Sequence, residues 1–195
     1  MTALKTKHAT YADIEALPPN IVGEILFGSL VTHPRPPRRH AAAASVVGGL
    51  IMPPFQFGSG GPGGWVIMDE PELHLGPHVV VPDLAGWKSE RLVGREEGAY
   101  FDEVPDWVCE VLSPATEAYD RGDKRRIYAN FEVPFLWHIE PRGRILEVFQ
   151  RQGGNWLLTH TFIEHEDVAA PPFDSITFSL GLLWPFDPPT AKEES

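Results

Sequence analysis

Cysteine is nearly missing from this sequence, which has a single one, Cys109, among its 195 residues. One thiol cannot form an internal disulfide bond, so the fold must depend on its core, which a chain of this length can bury. Cys109 lies in an apolar run, which indicates burial. A lone buried thiol is typical of a reducing compartment, and we therefore expect a cytoplasmic protein.

Long hydrophobic runs are also missing. No segment approaches the roughly 18 consecutive apolar residues that suggest a transmembrane helix. The first ten residues contain no apolar stretch of signal-peptide length. We expect no membrane association, and a single domain over residues 1–185 followed by a loose tail over 186–195.

Positive charge is scarce, with 16 lysine and arginine residues against 27 aspartate and glutamate residues and a net charge of -11. This balance argues against a general nucleic-acid coat protein, which would be basic. A nuclease is not excluded, because such enzymes use carboxylates to hold metal ions and need only local basic patches. Two patches are present, each of which taken alone is more typical of a solvated face. They consist of Arg35, Arg38 and Arg39, and of Arg121, Lys124, Arg125 and Arg126.

Several common catalytic motifs do not occur. The eight histidines show no metal-ligand spacing, which argues against a zinc site. No glycine elbow surrounds Ser113, so a serine nucleophile is not indicated. The glycine-rich segment 58–64 is not followed by Gly-Lys-Ser/Thr, so it is not a phosphate-binding P-loop.

Proline and glycine are abundant, at 20 and 18 residues, which favours turns and short strands over long helices. We predict helices over 11–17, 40–52 and 117–130, the second ended by Pro53-Pro54. A hairpin is predicted over 21–32 with its turn at Gly28-Ser29. Further strands are predicted over 65–68, 72–75, 78–82, 107–112, 135–139, 145–150, 156–162 and 176–180, with a polar connection over 88–106.

Carboxylates stand at the ends or inside of apolar strands. In HVVVPD, strand alternation puts Val79, Val81 and Asp83 on one face, so that a carboxylate ends an apolar row. In WVCEVL both faces are apolar, which predicts a strand buried on both sides with Glu110 inside it. Burying a carboxylate is costly unless a metal ion, a cation or several donors compensate it.

The helix that follows carries a lysine on its apolar face. At helical spacing, Asp120, Lys124, Ile127, Tyr128 and Phe131 share one side. Two acids from neighbouring strands and an inward lysine suit a Mg²⁺ site for phosphodiester chemistry. The lysine would orient the attacking water or stabilise developing charge. The alternative is purely structural: Glu110 and Lys124 form a buried ion pair, and Asp83 closes a turn.

Seven segments between about Ile21 and Trp184 resemble the Uma-two (Uma2) family of restriction-endonuclease-like proteins, which is assigned to the PD-(D/E)xK nuclease superfamily. They are GEILFGSLV, PRPPRRH, VVVPDLAGW, PDWVCEVLSPAT, DRGDKRRIYA, VPFLWHIEP and PFDSITFSL. The resemblance implies an α/β (α+β) fold with a mixed β-sheet flanked by helices and with additional antiparallel strands.

The resemblance also implies an active centre and an activity. It assigns catalysis to Asp83, Glu110 and Lys124, with Asp83 and Glu110 holding Mg²⁺, for which Mn²⁺ should substitute. Leu112 occupies the place two residues after Glu110 where the superfamily has its lysine, and Lys124 on the next helix takes that role. The supporting residues are Glu24, His40, Asp120 and Tyr128.

The expected function is hydrolysis of DNA phosphodiester bonds by a metal-dependent endonuclease, acting as a homodimer. The alternative is an inactive nuclease-fold module that binds nucleic acid or a protein partner.

Overall fold

The computed structural model describes residues 8–33, 35–95 and 97–187. Within these ranges the helices are α1 (Tyr11–Glu15), α2 (Arg38–Phe55), α3 (Glu117–Tyr119) and α4 (Arg125–Asn130), and one π-helical turn, Asp120–Lys124, joins α3 to α4. The strands are β1 (Val22–Leu26), β2 (Ser29–His33), β3 (Trp65–Asp69), β4 (Leu73–Leu75), β5 (His78–Val80), β6 (Leu84–Lys88), β7 (Trp107–Val111), β8 (Phe135–Glu140), β9 (Ile145–Gln152), β10 (Asn155–Ile163), β11 (Asp167–Val168) and β12 (Phe178–Ser179).

A six-stranded mixed sheet forms the centre of the molecule, in the order β10-β9-β8-β7-β6-β3. Strands β7 and β8 are parallel, and the other neighbours are antiparallel. A smaller antiparallel sheet has the order β2-β1-β5-β4, and β11 pairs with β12. The predicted class, a mixed sheet flanked by helices with additional antiparallel strands, is confirmed.

Two apolar clusters cover the two faces of the central sheet. On one face Val47 and Ile51 of α2 belong to the same cluster as Trp107. On the other face the cluster contains Ile127 of α4 and Val108 of β7, together with residues of the smaller sheet. All five residues of β7 are buried, because alternate side chains enter opposite clusters.

Strand β6 was not predicted, and it is the direct neighbour of β7 in the sheet. Its central residue, Gly86, disfavours a strand by propensity. The structure explains the glycine, since a Cβ atom there would lie 3.3 Å from ring carbons of both Trp107 and Trp65. Packing of two tryptophan rings therefore overrides local propensity at this position.

The predicted hairpin turn at Gly28-Ser29 is wrong by one residue. Leu26 pairs with Ser29, so the two-residue turn is Phe27-Gly28. Both turn residues have positive φ, 49° and 81°. This is the backbone twist that two-residue hairpins require, and it is provided at Gly28 without steric cost.

Helix α2 continues through Pro53 and Pro54 to Phe55, so the prediction that the prolines end it is wrong. A proline lacks an N–H and crowds the carbonyl four residues earlier. Gly49, whose carbonyl loses its N–H partner at Pro53, is exposed, so water can hydrogen-bond to that carbonyl. Burial of Pro54 and Phe55 offsets the lost hydrogen bonds.

Other boundaries move by a few residues. The helix predicted over 11–17 ends at residue 15, and the strand predicted over 176–180 is reduced to β12. Most of the predicted tail, 186–195, lies outside the described residues, which end at 187. No helix within the described ranges is long and apolar enough to cross a membrane.

Candidate functional site

A small cavity lies where the two sheets and the helical segment 117–130 meet. Its volume is about 80 Å³, which has room for a cation with several waters. Its walls include all the candidate residues named from the sequence except Tyr128, namely Glu24, His40, Asp83, Glu110, Asp120 and Lys124. These side chains come from β1, α2, the β5–β6 connection, β7 and the π-helical turn.

The π-helical turn directs two of its side chains into this cavity. Asp120 and Lys124 are its first and last residues, and both are buried. A wider turn rotates successive residues by a smaller angle, which keeps residues four apart nearly in line. Asp120, Lys124 and Tyr128 therefore share the inward face.

The ammonium group of Lys124 is surrounded by acceptors. Its Nζ lies 2.9 Å from Glu110 Oε1, 3.2 Å from Glu24 Oε1 and 3.5 Å from Asp120 Oδ1. Nζ also donates to the carbonyl oxygen of Val81 at 3.0 Å. Only 4% of the side chain is exposed. Four acceptors for three N–H bonds fix the position of the ammonium.

Glu24 connects the smaller sheet to the site. Its Oε1 accepts a hydrogen bond of 2.7 Å from the backbone N–H of Val81, two residues before Asp83. Its Oε2 lies 2.7 Å from Nε2 of His33 on the neighbouring strand. Glu24 therefore holds the end of β5 and Lys124 at the same time.

Glu110 is held by a tyrosine as well as by Lys124. The hydroxyl of Tyr128 donates to Glu110 Oε1 at 2.6 Å, and both residues are buried. Tyr128 stands one helical turn after Lys124, so one helix face provides both donors.

Asp83 is fixed by contacts with β7 and α2. Its Oδ2 accepts a 2.6 Å hydrogen bond from the N–H of Val111, the residue after Glu110. Its Oδ1 lies 3.1 Å from His40 Nε2. The Val111 hydrogen bond brings the two candidate metal-binding acids together, although they come from different segments of the chain.

The cavity is lined by more carboxyl groups than basic groups. Its five carboxyl groups outnumber the side chains of Arg35 and Lys124 even when the imidazoles of His33 and His40 are counted with them. The five are Glu24, Glu70, Asp83, Glu110 and Asp120. Burial raises the pKa of Glu110 well above its ordinary value, and the nearby acids add to this effect against Lys124. Burial likewise raises the pKa of Asp120.

The pKa values of Lys124 and Glu24 are also shifted by their neighbours in the site. Burial alone would lower the pKa of Lys124, but Glu110 and Glu24 raise it well above its ordinary value. Burial would raise the pKa of Glu24, but Lys124, His33 and the Val81 N–H hold it below its ordinary value. The contacts between Lys124 and these acids therefore favour the protonated amine and the ionised form of Glu24.

The oxygen donors suit a hard cation. The described part of the chain has no group of three or more His, Cys, Asp and Glu side chains arranged to hold a metal ion. Mg²⁺ usually takes only one or two carboxylates and completes its shell with water and substrate oxygens. Asp83 and Glu110 could provide that pair, and the excess negative charge beside them favours a divalent cation.

Sequence reasoning missed several residues at this site. His33 was not proposed, although the hairpin register places it diagonally across from Glu24 on the same face. Arg35, Ser113 and Thr116 also line the cavity, and Ser113 Oγ lies 3.1 Å from Thr116 Oγ1. These three lie in loops, where no periodic pattern indicates the direction of a side chain.

Comparison with known proteins gives a family and a fold. The family model described as "Uma2: Putative restriction endonuclease" matches residues 9–181. Among solved structures, a protein from Anabaena variabilis described as "a putative nuclease belonging to DUF820" has the same fold. The TM-score is 0.73 at 23% identity, covering 90% of this chain and 97% of that one. A search of curated proteins found no match. Because the family model covers most of its length, this chain belongs to the Uma2 family.

Proposed function

We propose that this protein is a metal-dependent DNA endonuclease that hydrolyses phosphodiester bonds. The observation that carries the proposal is the excess of carboxylates over cations around an open cavity, where Lys124 already has four acceptors. A purely structural ion pair would not need the additional acids. Family membership supports the nuclease class.

Asp83 and Glu110 would bind the divalent cation, Mg²⁺ or Mn²⁺, as in the PD-(D/E)xK nuclease superfamily. A bound cation would lower the pKa of a coordinated water and stabilise charge on phosphate oxygens. Both acids are held in place by hydrogen bonds from neighbouring residues. Val111 holds Asp83, and Tyr128 holds Glu110.

Lys124 would stabilise negative charge as the phosphodiester bond breaks. Glu110 and Glu24 raise the pKa of Lys124, which suits it to hold positive charge rather than to act as the general base. To donate to a phosphate oxygen or to the attacking water it must release one acceptor, and the Asp120 contact at 3.5 Å is the longest. Lys124 would therefore act as a fixed positive charge beside the reacting phosphate.

Glu24, Asp120, His40 and Tyr128 would act as positioning residues. Glu24 keeps Lys124 and the Val81 backbone in place, and His40 orients Asp83 through its Nε2. A duplex cut on both strands would need one such centre for each strand. This requirement supports a homodimer.

Plasmid cleavage provides the direct test of this proposal. Purified protein should nick or linearise plasmid DNA with Mg²⁺ or Mn²⁺ and should not do so with EDTA. Glu110→Gln and Lys124→Met should each reduce the rate by at least about 100-fold, the size expected for lost charge stabilisation. Arg126→Met, which removes a 71% exposed cation from the same helix, should leave the rate unchanged. Equal cleavage by Lys124→Met and the wild type would reject the assignment.

The second candidate is an inactive module that binds nucleic acid or a protein partner. It is favoured by the saturation of Lys124, since an ammonium group with a full set of acceptors can serve structure alone. Calorimetry with Mn²⁺ separates the two functions. Mn²⁺ binding to the wild type that disappears in Asp83→Asn supports the enzyme. If neither the wild type nor Asp83→Asn gives a heat of Mn²⁺ binding, the module is supported.

A further inference from the structure

The cavity of the candidate site continues into a second cleft. Pro37, His40 and Ser113 line both spaces. The second cleft is otherwise formed by Arg38, Arg39, Leu112, Pro114, Pro141 and Arg142. It lies at the carboxyl ends of the parallel strands β7 and β8, beside the first turn of α2. This end of a parallel pair is where α/β proteins commonly bind ligands.

Cations without partners collect around this opening. Within the described ranges, most lysine and arginine side chains have a carboxylate within 4.0 Å, and Lys88 and Arg125 lie over aromatic rings. The cations in those ranges with neither kind of partner are Arg35, Arg38 and Arg142. Arg35 lines the candidate cavity, and Arg38 and Arg142 line the adjoining cleft. All three are exposed.

A third cleft adjoins the cavity and has the reverse charge. It shares His40 and Asp83 with the cavity, and its walls include Asp69 and Glu70. A polyanion that reaches Asp83 is therefore attracted from the arginine side and repelled from the acidic side. Because the chain carries a net charge of -11, a polyanion can only be held where such a local patch exists.

We propose that Arg38 and Arg142, with Arg35 at the rim of the cavity, bind the phosphates of the DNA strand on one side of the bond that is cut. This inference rests on the proposed function and adds the path of the substrate to it. Guanidinium groups bind phosphate through paired N–H donors. The 18-residue helix α2 begins at Arg38 without an acidic residue in its first turn, so its N-terminal N–H groups add to the positive potential.

Two measurements on the full chain test the path separately from the chemistry. The first is the affinity for a short fluorescein-labelled DNA duplex, with Ca²⁺ replacing Mg²⁺, between about 50 and 200 mM salt. The second is hydrolysis of bis(p-nitrophenyl) phosphate with Mn²⁺, because this small diester is too short to reach the arginine cleft. The test protein is the double variant Arg38→Ala/Arg142→Ala. The control is Arg91→Ala, which removes an exposed arginine beyond the far end of β6 from Asp83.

The double variant should bind DNA about tenfold more weakly or worse, as expected for the loss of two charge-assisted contacts. The slope of log affinity against log salt should fall by about 2, one for each lost phosphate contact. Hydrolysis of the small diester should equal that of the wild type, and Arg91→Ala should match the wild type in both measurements.

Equal DNA binding by the double variant and Arg91→Ala would overturn the proposed path, even if the small diester is hydrolysed. A wild-type protein that does not bind DNA would overturn it as well. If the double variant loses DNA affinity while no protein hydrolyses the diester, the arginines bind DNA, but the proposed enzymatic function fails and with it their place beside a bond that is cut.

Discussion

At the scale of single residues, Lys124 is the group on which the site depends most. It is the only lysine in contact with the buried acids in the described residues, and it neutralises part of the charge of three of them. Lys124→Met should lower the free energy of unfolding by about 3–5 kcal/mol at neutral pH, because buried charges lose their partner. Urea denaturation measures this loss.

The matched control, Arg126→Met on the exposed side of the helix, should change stability by less than about 0.5 kcal/mol. The loss in Lys124→Met should become smaller at acidic pH, where the orphaned acids take up protons. A Lys124→Met variant as stable as the wild type at neutral pH would show that the ion cluster is not fully formed in solution.

His138 is the second residue with a clear energetic consequence. It is buried, and both of its ring nitrogens lack a hydrogen-bond partner among the described residues. Burial, aided by Arg121, Arg125 and Lys124, lowers its pKa to about 3. Its register partners on the neighbouring strands are both acidic, Glu110 on β7 and Glu147 on β9, and β9 also carries Arg151.

The sign of the pH effect follows from the lowered pKa of His138. As pH falls from 6.5 towards 3, an unfolded chain binds a proton at this imidazole and the folded protein does not, so stability is lost. The loss at pH 5 should be about 2 kcal/mol. His138→Leu should remove this part of the loss while remaining as stable as the wild type at pH 7.5. Urea titrations at both pH values measure it, and an unchanged acid loss in His138→Leu would contradict the prediction.

The inward direction of Glu110 and Lys124 could be predicted from sequence because each lies in an element with a strong period. Glu110 interrupts a strand that is apolar on both faces, and Lys124 stands on an apolar helix stripe. The position of Arg142 could not be predicted, because it depends on the way that segments far apart in the chain pack together. His33 lies in the same hairpin as Glu24, but it breaks no local pattern that would mark it as part of a site.

At the scale of elements, Gly86 in β6 offers a direct comparison with Gly49 in α2. Gly86→Ala should lower stability by about 1–3 kcal/mol, because the added methyl group presses on the rings of Trp65 and Trp107. Gly49→Ala should raise stability by about 0.5–1 kcal/mol, since a methyl group there would meet no atom within 4 Å and alanine favours the helix. Thermal unfolding of the two variants tests both signs, and destabilisation by both substitutions would refute the packing argument.

Strand β6 also shows where sequence patterns stop being informative. Its glycine and alanine are poor strand formers, and its position was hidden because the tryptophan rings that cover it come from β3 and β7. The hairpin turn and the end of α2 were misplaced by small steps for similar reasons. In the hairpin, the pairing register decided the turn rather than the position of the glycine. In α2, burial of Pro54 and Phe55 outweighed the tendency of proline to end a helix.

At the scale of the whole molecule, β7 connects the two apolar clusters. Trp107 and Cys109 belong to one cluster and Val108 to the other. If β7 leaves the sheet, both clusters therefore lose buried residues at the same time. Unfolding should therefore be a single transition. Near-ultraviolet circular dichroism, dominated by the buried tryptophans, and far-ultraviolet circular dichroism should give the same midpoint in urea. Separate midpoints would show that the clusters unfold independently.

Lys124 and three of the acids of this centre belong to different pieces of the chain, and Lys124 is carried by a helical segment with a wide turn. Fraying of that segment would withdraw the amine together with Asp120, while Glu24, Asp83 and Glu110 stay with the two sheets. Amide hydrogen exchange along residues 117–130 would then measure how often Lys124 leaves the site while the central sheet stays folded. A search that expects an acid and a lysine two residues apart on one strand would also pass over proteins built in this way.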